Sequence, residues 1–183
     1  MGKKIRTKTI HYGVDPDVHY GSINDPIYKN STLVFQNYKS FLKAKKDRFN
    51  VPYYGRISTY TTRRFGQLGS KLYNAKKSVV TSSGLSAITI TFLALLKKDD
   101  EILISENCYE PVYNFATHEL KKFGIKSHFF SNNRRNIDKI INKKTKILYI
   151  ESPGSLNYEV SDIREIVKIC KKKKIITIMD NTW

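Results

Sequence analysis

Cysteine is scarce: Cys108 and Cys170 are the only two in 183 residues. They supply neither a disulfide framework nor the paired spacing of a zinc site. The four histidines, His11, His19, His118 and His128, are scattered with no pairing on a helix face, so no metal site is expected. Long apolar runs are also missing. None approaches the roughly 20 residues that cross a bilayer, and no membrane partner is expected. The start, Met1 to Arg6, lacks the apolar stretch and small-residue cleavage site of a secretory signal. Gly2 fits a myristoylation pattern, but Arg6 stands where Ser or Thr is wanted. A cytoplasmic location is the expectation.

Acidic residues are few. Sixteen Asp and Glu stand against 33 Lys and Arg, leaving a formal charge of +17. Charge of this size attracts polyanions without any specific site. A nucleic-acid binder, however, gathers its basic residues with aromatics or on one element. Here they are dispersed, with short runs at Lys143-Lys144 and Lys171 to Lys174. Heavy use of Lys, Ile and Asn together matches the codon bias of an adenine- and thymine-rich genome. No nucleic-acid partner is expected, although a basic binding module stays as the rival class.

What is present is a core's worth of apolar residues, 40% of the chain, in a length that fits one domain or part of a larger one. Residues 1–60 read as an arm and loop, with a turn cluster at Gly21 to Pro26 and a short apolar run at Ser31 to Phe35. The pattern predicts a basic helix over Tyr38 to Phe49 and another over Thr62 to Tyr73. Residues 61–183 read as a partial domain, and from Ser78 the alternation becomes regular. Strands are predicted at Ser78 to Ser82, Glu101 to Ser105, Ile125 to Phe130, Lys146 to Ile150 and Ile175 to Asp180. Helices are predicted at Ser86 to Leu96, Tyr113 to Phe123 with Gly124 as C-cap, Ile137 to Ile141 and Asp162 to Lys172. Strands alternating with helices imply βαβ units around a parallel sheet, an α/β fold.

In such sheets ligands bind beyond the carboxyl ends of the strands. Four segments fall there. Ser82-Ser83-Gly84-Leu85-Ser86 leads into a helix, where a close-approaching glycine and free N–H groups suit a phosphate; Ser-Gly is equally a common turn, and no Walker lysine follows. Asn107-Cys108-Tyr109-Glu110-Pro111 places Tyr109 at the same rim. There its ring either lies on a planar cofactor or packs between helix and sheet, and Cys108 reads as a small filler rather than a nucleophile. Glu151-Ser152-Pro153-Gly154-Ser155 makes a sharp polar turn, functional or a plain connection. Asp180 ends the last strand, either holding a cationic ring nitrogen or capping a following helix. Separately, Tyr54-Gly55-Arg56 pairs a hydroxyl with a guanidinium suited to phosphate, or is a solvated loop.

Taken in order, these segments, with Asn24 to Thr32 and Ile178-Met179-Asp180-Asn181-Thr182-Trp183, resemble the Cys/Met-metabolism family of pyridoxal phosphate enzymes. The resemblance covers nearly the whole chain. It implies an aspartate-aminotransferase-like large domain (fold type I), incomplete, preceded by an N-terminal arm. It implies that Gly84 and Leu85 give backbone N–H groups to the cofactor phosphate, that Tyr109 stacks on the pyridine ring, and that Asp180 pairs with the ring nitrogen. Tyr54 and Arg56 would reach the phosphate of an adjacent subunit, making a homo-oligomer, a tetramer in the family, part of the site. The implied reaction is an elimination on a small amino-acid substrate. The α-proton is removed, the ring takes up the charge, and the Cβ–S bond of cystathionine breaks to give homocysteine, pyruvate and ammonia in methionine synthesis. Gly154-Ser155, where many γ-acting relatives carry Thr-Asn, favours that β-elimination over γ-lyase or γ-synthase chemistry.

Two departures accompany the resemblance. The family's Schiff-base lysine follows its aspartate motif by some tens of residues, and no lysine here has that context, so the chain alone is expected to be inactive. Ile57-Ser58-Thr59-Tyr60 also replaces the family's usual glycine- and proline-bearing stretch. A chain with part of the large sheet is further expected to expose an unpaired edge and apolar helix faces, and so to be poorly soluble and at most a weak cofactor binder.

Overall fold

The computed structural model describes residues 5–131 and 137–183. Residues 1–4, on which part of the reading of the chain's start falls, lie outside them. The chain divides into two compact units, one ending at Val80 and one spanning Thr81–Trp183. Among the described residues no helix is long and apolar enough to cross a membrane, and no cluster of His, Cys, Asp and Glu could hold a metal ion.

The first unit holds α1 (Ile5–His11), a 3-10 turn (Pro16–His19), α2 (Tyr38–Lys46) and α3 (Tyr60–Leu72). The first two were not foreseen; both are short and rich in polar residues. α2 and α3 begin on capping boxes, Asn37 with Ser40 and Thr59 with Thr62, each satisfying two orphan N–H groups. The segment at 25–31 is laid against the start of α3. Arg64 Nε donates to Asp25 Oδ2 at 3.0 Å, and the Tyr28 N–H donates to Thr61 Oγ1 at 2.9 Å. The Gly55 N–H then reaches Ser31 O at 2.7 Å, and a Cβ at 55 would collide with the Asn30 carbonyl. Glycine is required there because two backbones meet.

The second unit is a four-stranded parallel sheet in the order β2-β1-β3-β4. Its strands are β1 (Glu101–Ser105), β2 (Lys126–Phe130), β3 (Thr145–Glu151) and β4 (Ile176–Asp180), and its helices are α4 (Gly84–Leu95), α5 (Glu110–Asn114), α6 (Leu120–Lys122), α7 (Ile137–Ile140) and α8 (Ile163–Lys173). Central β1 is buried along its whole length, which is why its sequence, Glu-Ile-Leu-Ile-Ser, is an apolar run rather than an alternation. Successive residues serve opposite faces. Ile102, Ile104, Ile147 and Tyr149 join Phe92, Val112 and Leu120 on one side, while Leu103, Leu148 and Ile150 join Ile137, Ile166 and Cys170 on the other. Ser127 Oγ also donates to the Ala116 carbonyl at 2.9 Å, tying β2 to the turn before α6.

Two expectations are corrected here. Ser78 to Ser82 forms no strand: β-branched residues give a segment the propensity, but a strand also needs a neighbour to pair with. The helix expected from Tyr113 starts at Glu110, with Pro111 in its first turn, where a missing N–H costs nothing. It also contains a π-helical turn, Phe115–Glu119, before α6. Gly124 does follow the last helical turn, at φ +72°.

At the amino end of the sheet, Glu101 is buried and accepts a hydrogen bond from Asn142 Nδ2 at 2.6 Å, with His128 Nε2 at 3.0 Å. The Asn142 amide, with the charges of His128 and Lys126, holds the carboxyl below its ordinary value against burial, which pushes it up. A depressed folded value means the stabilisation is fully present above the unfolded carboxylate value near 4.5 and is lost as pH falls through the folded one. Glu101→Gln should therefore cost about 1 kcal/mol at neutral pH in urea denaturation, and the gap to the parent should close in acid.

Candidate active site

All four strands run parallel, so Ser105, Glu151 and Asp180 arrive at one edge of the sheet. Glu151 and Asp180 are register partners at the ends of β3 and β4. By strand alternation both carboxylates stand on the face that also carries Tyr149 and Ile178. The Tyr149 hydroxyl, inside that face, donates to Asp180 Oδ2 at 3.2 Å. The other Asp180 oxygen accepts from the Thr182 N–H at 3.0 Å and from Thr182 Oγ1 at 2.6 Å.

Glu151 is tied down on both sides. Its N–H donates to Ser105 Oγ at 3.1 Å, and its Oε2 accepts the Tyr109 backbone N–H at 2.7 Å. Tyr109 stands at the N-cap position of α5 without a side-chain capping bond and is 46% exposed. Burial raises the Glu151 pKa, the Tyr109 N–H opposes that, and the Asp180 charge adds to it. Tyr149 is pushed up by burial, then by Asp180 and Glu151, and so remains a neutral donor. The Cys108 thiol is pushed up to about 12 by burial and by Glu151. That is the state of a filler, as the sequence suggested, and the opposite of an activated nucleophile.

Ser83 caps α4, its Oγ accepting the Ser86 N–H at 3.0 Å, and a Cβ on Gly84 would meet open space. Leu85 packs against the core cluster that contains Cys108, Val112 and Tyr149. The head of this 12-residue helix has N–H groups of the kind that suit an anion, beside the open space at Gly84. Of the residues nominated from sequence, Tyr109 and Asp180 are joined through Glu151, and Gly84 and Leu85 head the helix on the same face. Tyr54 and Arg56 are exposed in the loop of the first unit. Sequence reasoning missed Tyr149 and the tether made by Glu151. The available signal was a tyrosine set into an apolar strand two residues before an acid that ends it.

The turn after β3 packs on the loop after β1. The Ser155 N–H donates to the Asn107 carbonyl at 2.9 Å, and the Ser161 N–H to Ser152 Oγ at 2.9 Å. A Cβ on Gly154 would overlap Asn107 Nδ2, so glycine is needed where that amide sits.

Against this geometry stands one further observation: the model of the Cys/Met metabolism PLP-dependent enzymes matches residues 6–183. The chain belongs to this family. A Saccharomyces cerevisiae protein provisionally named cystathionine beta-lyase is 34% identical over 98% of the chain and 52% of its own length. An L-alanine/L-glutamate racemase of Wolbachia pipientis is 32% identical over 89% of the chain and 43% of its own. A Campylobacter jejuni crystal structure containing N'-pyridoxyl-lysine-5'-monophosphate superposes with a TM-score of 0.89 at 27% identity, covering 99% of the chain and 45% of that protein. An L-methionine gamma-lyase of Pseudomonas putida is also among the relatives. The chain thus spans about half the length of the relatives it matches. The fold is that of the pyridoxal phosphate enzymes of fold type I, and pyridoxal phosphate is the family cofactor. The residues present fit it: open space over a capped helix start for phosphate, a partly exposed tyrosine whose backbone is tethered by Glu151 for stacking, and an acid at a strand end for a ring nitrogen.

Proposed function

We propose that this chain forms the cofactor-binding face of a pyridoxal phosphate-dependent carbon–sulfur lyase, a cystathionine β-lyase releasing homocysteine, pyruvate and ammonia. The observation that carries the reading is the grouping of Tyr109, Glu151 and Asp180 at one sheet edge, joined by hydrogen bond and strand register. When bound, pyridoxal phosphate supplies the electron sink that makes the α-proton removable. The backbone N–H groups of Gly84 and Leu85 bind its phosphate. Asp180, oriented by Tyr149 and Thr182, keeps the ring nitrogen protonated, and Tyr109, fixed through Glu151, covers the ring. Tyr54 and Arg56 add a hydroxyl and a guanidinium to the phosphate of a neighbouring subunit in a homo-oligomer. No lysine of this chain is assigned to the Schiff base.

Gly154-Ser155 supports β- over γ-elimination, whereas the kinship to an L-methionine gamma-lyase supports a γ-acting enzyme as the second reading. The deciding experiment fuses this chain to the complementary half of a β-lyase relative and, separately, of a γ-lyase relative. Pyruvate from cystathionine should predominate in both fusions. If 2-oxobutyrate from methionine predominates whenever the γ-half is attached, the specificity does not reside in this chain and the β assignment fails.

A further inference from the structure

The first unit carries a charge cluster that the site described above does not use. Arg64, near the start of α3, is met by three separate points of the chain before it. Its Nε donates to Asp25 Oδ2 at 3.0 Å, with the two side chains only 23% and 24% exposed. The other Asp25 oxygen lies 3.5 Å from Nε2 of His19, which is buried. Gly13 is the third point. It holds φ +74°, the left-handed backbone that favours glycine, and a Cβ there would overlap the guanidinium. The rings of Tyr12 and Tyr60 face the same guanidinium, their centroids 6.0 and 5.5 Å from its central carbon. One arginine thus gathers the arm.

The segment pinned at Asp25 runs on to the loop that carries Tyr54 and Arg56. Thr61 Oγ1 accepts the Tyr28 N–H at 2.9 Å and donates to the Pro26 carbonyl at 3.3 Å, keeping the segment on α3. Ser31 O then accepts the Gly55 N–H at 2.7 Å, and the Asn30 carbonyl occupies the place of a Cβ on Gly55. Tyr54 O closes the turn by accepting the N–H groups of Ile57 and Ser58 at 2.9 and 3.1 Å. We infer that Asp25 and Arg64 are positioning residues: their ion pair locks the 25–31 segment onto α3, and that segment holds the Tyr54-Gly55-Arg56 turn in the shape that meets a phosphate. The inference rests on the reading of Tyr54 and Arg56 as phosphate ligands for a neighbouring subunit. A free surface loop must order its side chains when it binds, at a loss of affinity. A turn backed by a braced segment is ordered beforehand.

The test uses pyridoxine 5'-phosphate, which has no aldehyde and needs no lysine, beside pyridoxine, which has no phosphate. Asp25→Asn keeps the side-chain volume and removes the charge that holds Arg64. By Coulomb's law alone, losing an anion strengthens phosphate binding, whereas losing the brace weakens it, so the sign of the change discriminates. Affinity for pyridoxine 5'-phosphate should fall roughly two- to tenfold, and affinity for pyridoxine should not change. Gly55→Ala leaves the Asp25–Arg64 pair intact but parts the turn from the segment. It should show the same selective loss, which keeps the test alive if Asp25→Asn folds poorly. Arg56→Ala should lose about tenfold or more, and adding Asp25→Asn to it should lose nothing further, because both act on one contact. An ion pair that only stabilises the fold would lower both affinities, and its effect would add to that of Arg56→Ala. Either result overturns the inference, as does unchanged or higher phosphate affinity in folded Asp25→Asn or in Gly55→Ala. If Arg56→Ala binds as the parent does, or the parent does not distinguish the two ligands, the reading of Tyr54 and Arg56 as phosphate ligands fails first, and the inference falls with it.

Discussion

Asp180→Asn should leave the fold intact and change the protonation of whatever ring is bound. Asparagine keeps the volume, and its carbonyl can still accept from Tyr149 or from Thr182, the two partners of the native carboxylate. What it removes is the negative charge. An opposite charge within about 4–6 Å raises the pKa of a cationic nitrogen by roughly 1–3 units, so the parent should hold a bound pyridine ring protonated to higher pH than the variant does. The measurement is an absorbance titration of bound pyridoxine 5'-phosphate, with the ring transition displaced to lower pH in Asp180→Asn. Affinity should fall as well, by about tenfold or more, because a charge-assisted hydrogen bond becomes a neutral one. Coincident titration curves for parent and variant would show that Asp180 does not face the ring nitrogen, and the cofactor orientation proposed above would be wrong. Tyr149 adds an internal check. Two neighbouring carboxylates help keep its hydroxyl from ionising, so removing one should bring its titration down.

How much of this could be read from the chain alone depended on whether the signal was local. β1, β3 and β4 and the helix α8 fell where the apolar runs and the capping Asp162 placed them, within a residue or so. Their sequences state both the period and the stop. Ser78 to Ser82 has strand composition without strand pairing, because pairing depends on a neighbour that no window of sequence contains. The early start of α5 was hidden by Pro111, which reads as a stop unless it is recognised as a first-turn residue. The π-helical turn at Phe115–Glu119 has no sequence signature at all. At the site, Tyr109 and Asp180 do lie where the strands end, whereas Gly84 heads a helix that no strand precedes. The links between them were not legible. That Glu151 reaches back 42 positions to the Tyr109 N–H is a fact of the sheet order.

The largest loss of stability is expected at Phe92. Its side chain is 0% exposed and meets the Tyr149 ring edge-on at 5.4 Å, within the cluster that includes Ile102, Ile104, Ile147 and Leu120. Cutting it back to alanine should destabilise the chain by about 3–5 kcal/mol, transfer and cavity terms together. Domain stabilities are about 5–15 kcal/mol, so the urea midpoint should fall by a large fraction with the slope unchanged. The contrast lies on the same helix. α4 is apolar nearly all round, and Ile90, 55% exposed, points away from that cluster. As a surface substitution, Ile90→Ala should cost no more than about 0.5 kcal/mol. The pair asks whether one stripe of α4 or its whole circumference is buried in solution. If Ile90→Ala proves as damaging as Phe92→Ala, and the damage grows with protein concentration, the outer stripe is covered by a second copy of the chain. If both are mild, α4 does not anchor the sheet, and Gly84 and Leu85 lose the rigid support that the proposed phosphate site requires. A large effect at Phe92 alone ties Asp180 to the core through a physical chain: Phe92 packs Tyr149, and Tyr149 holds Asp180.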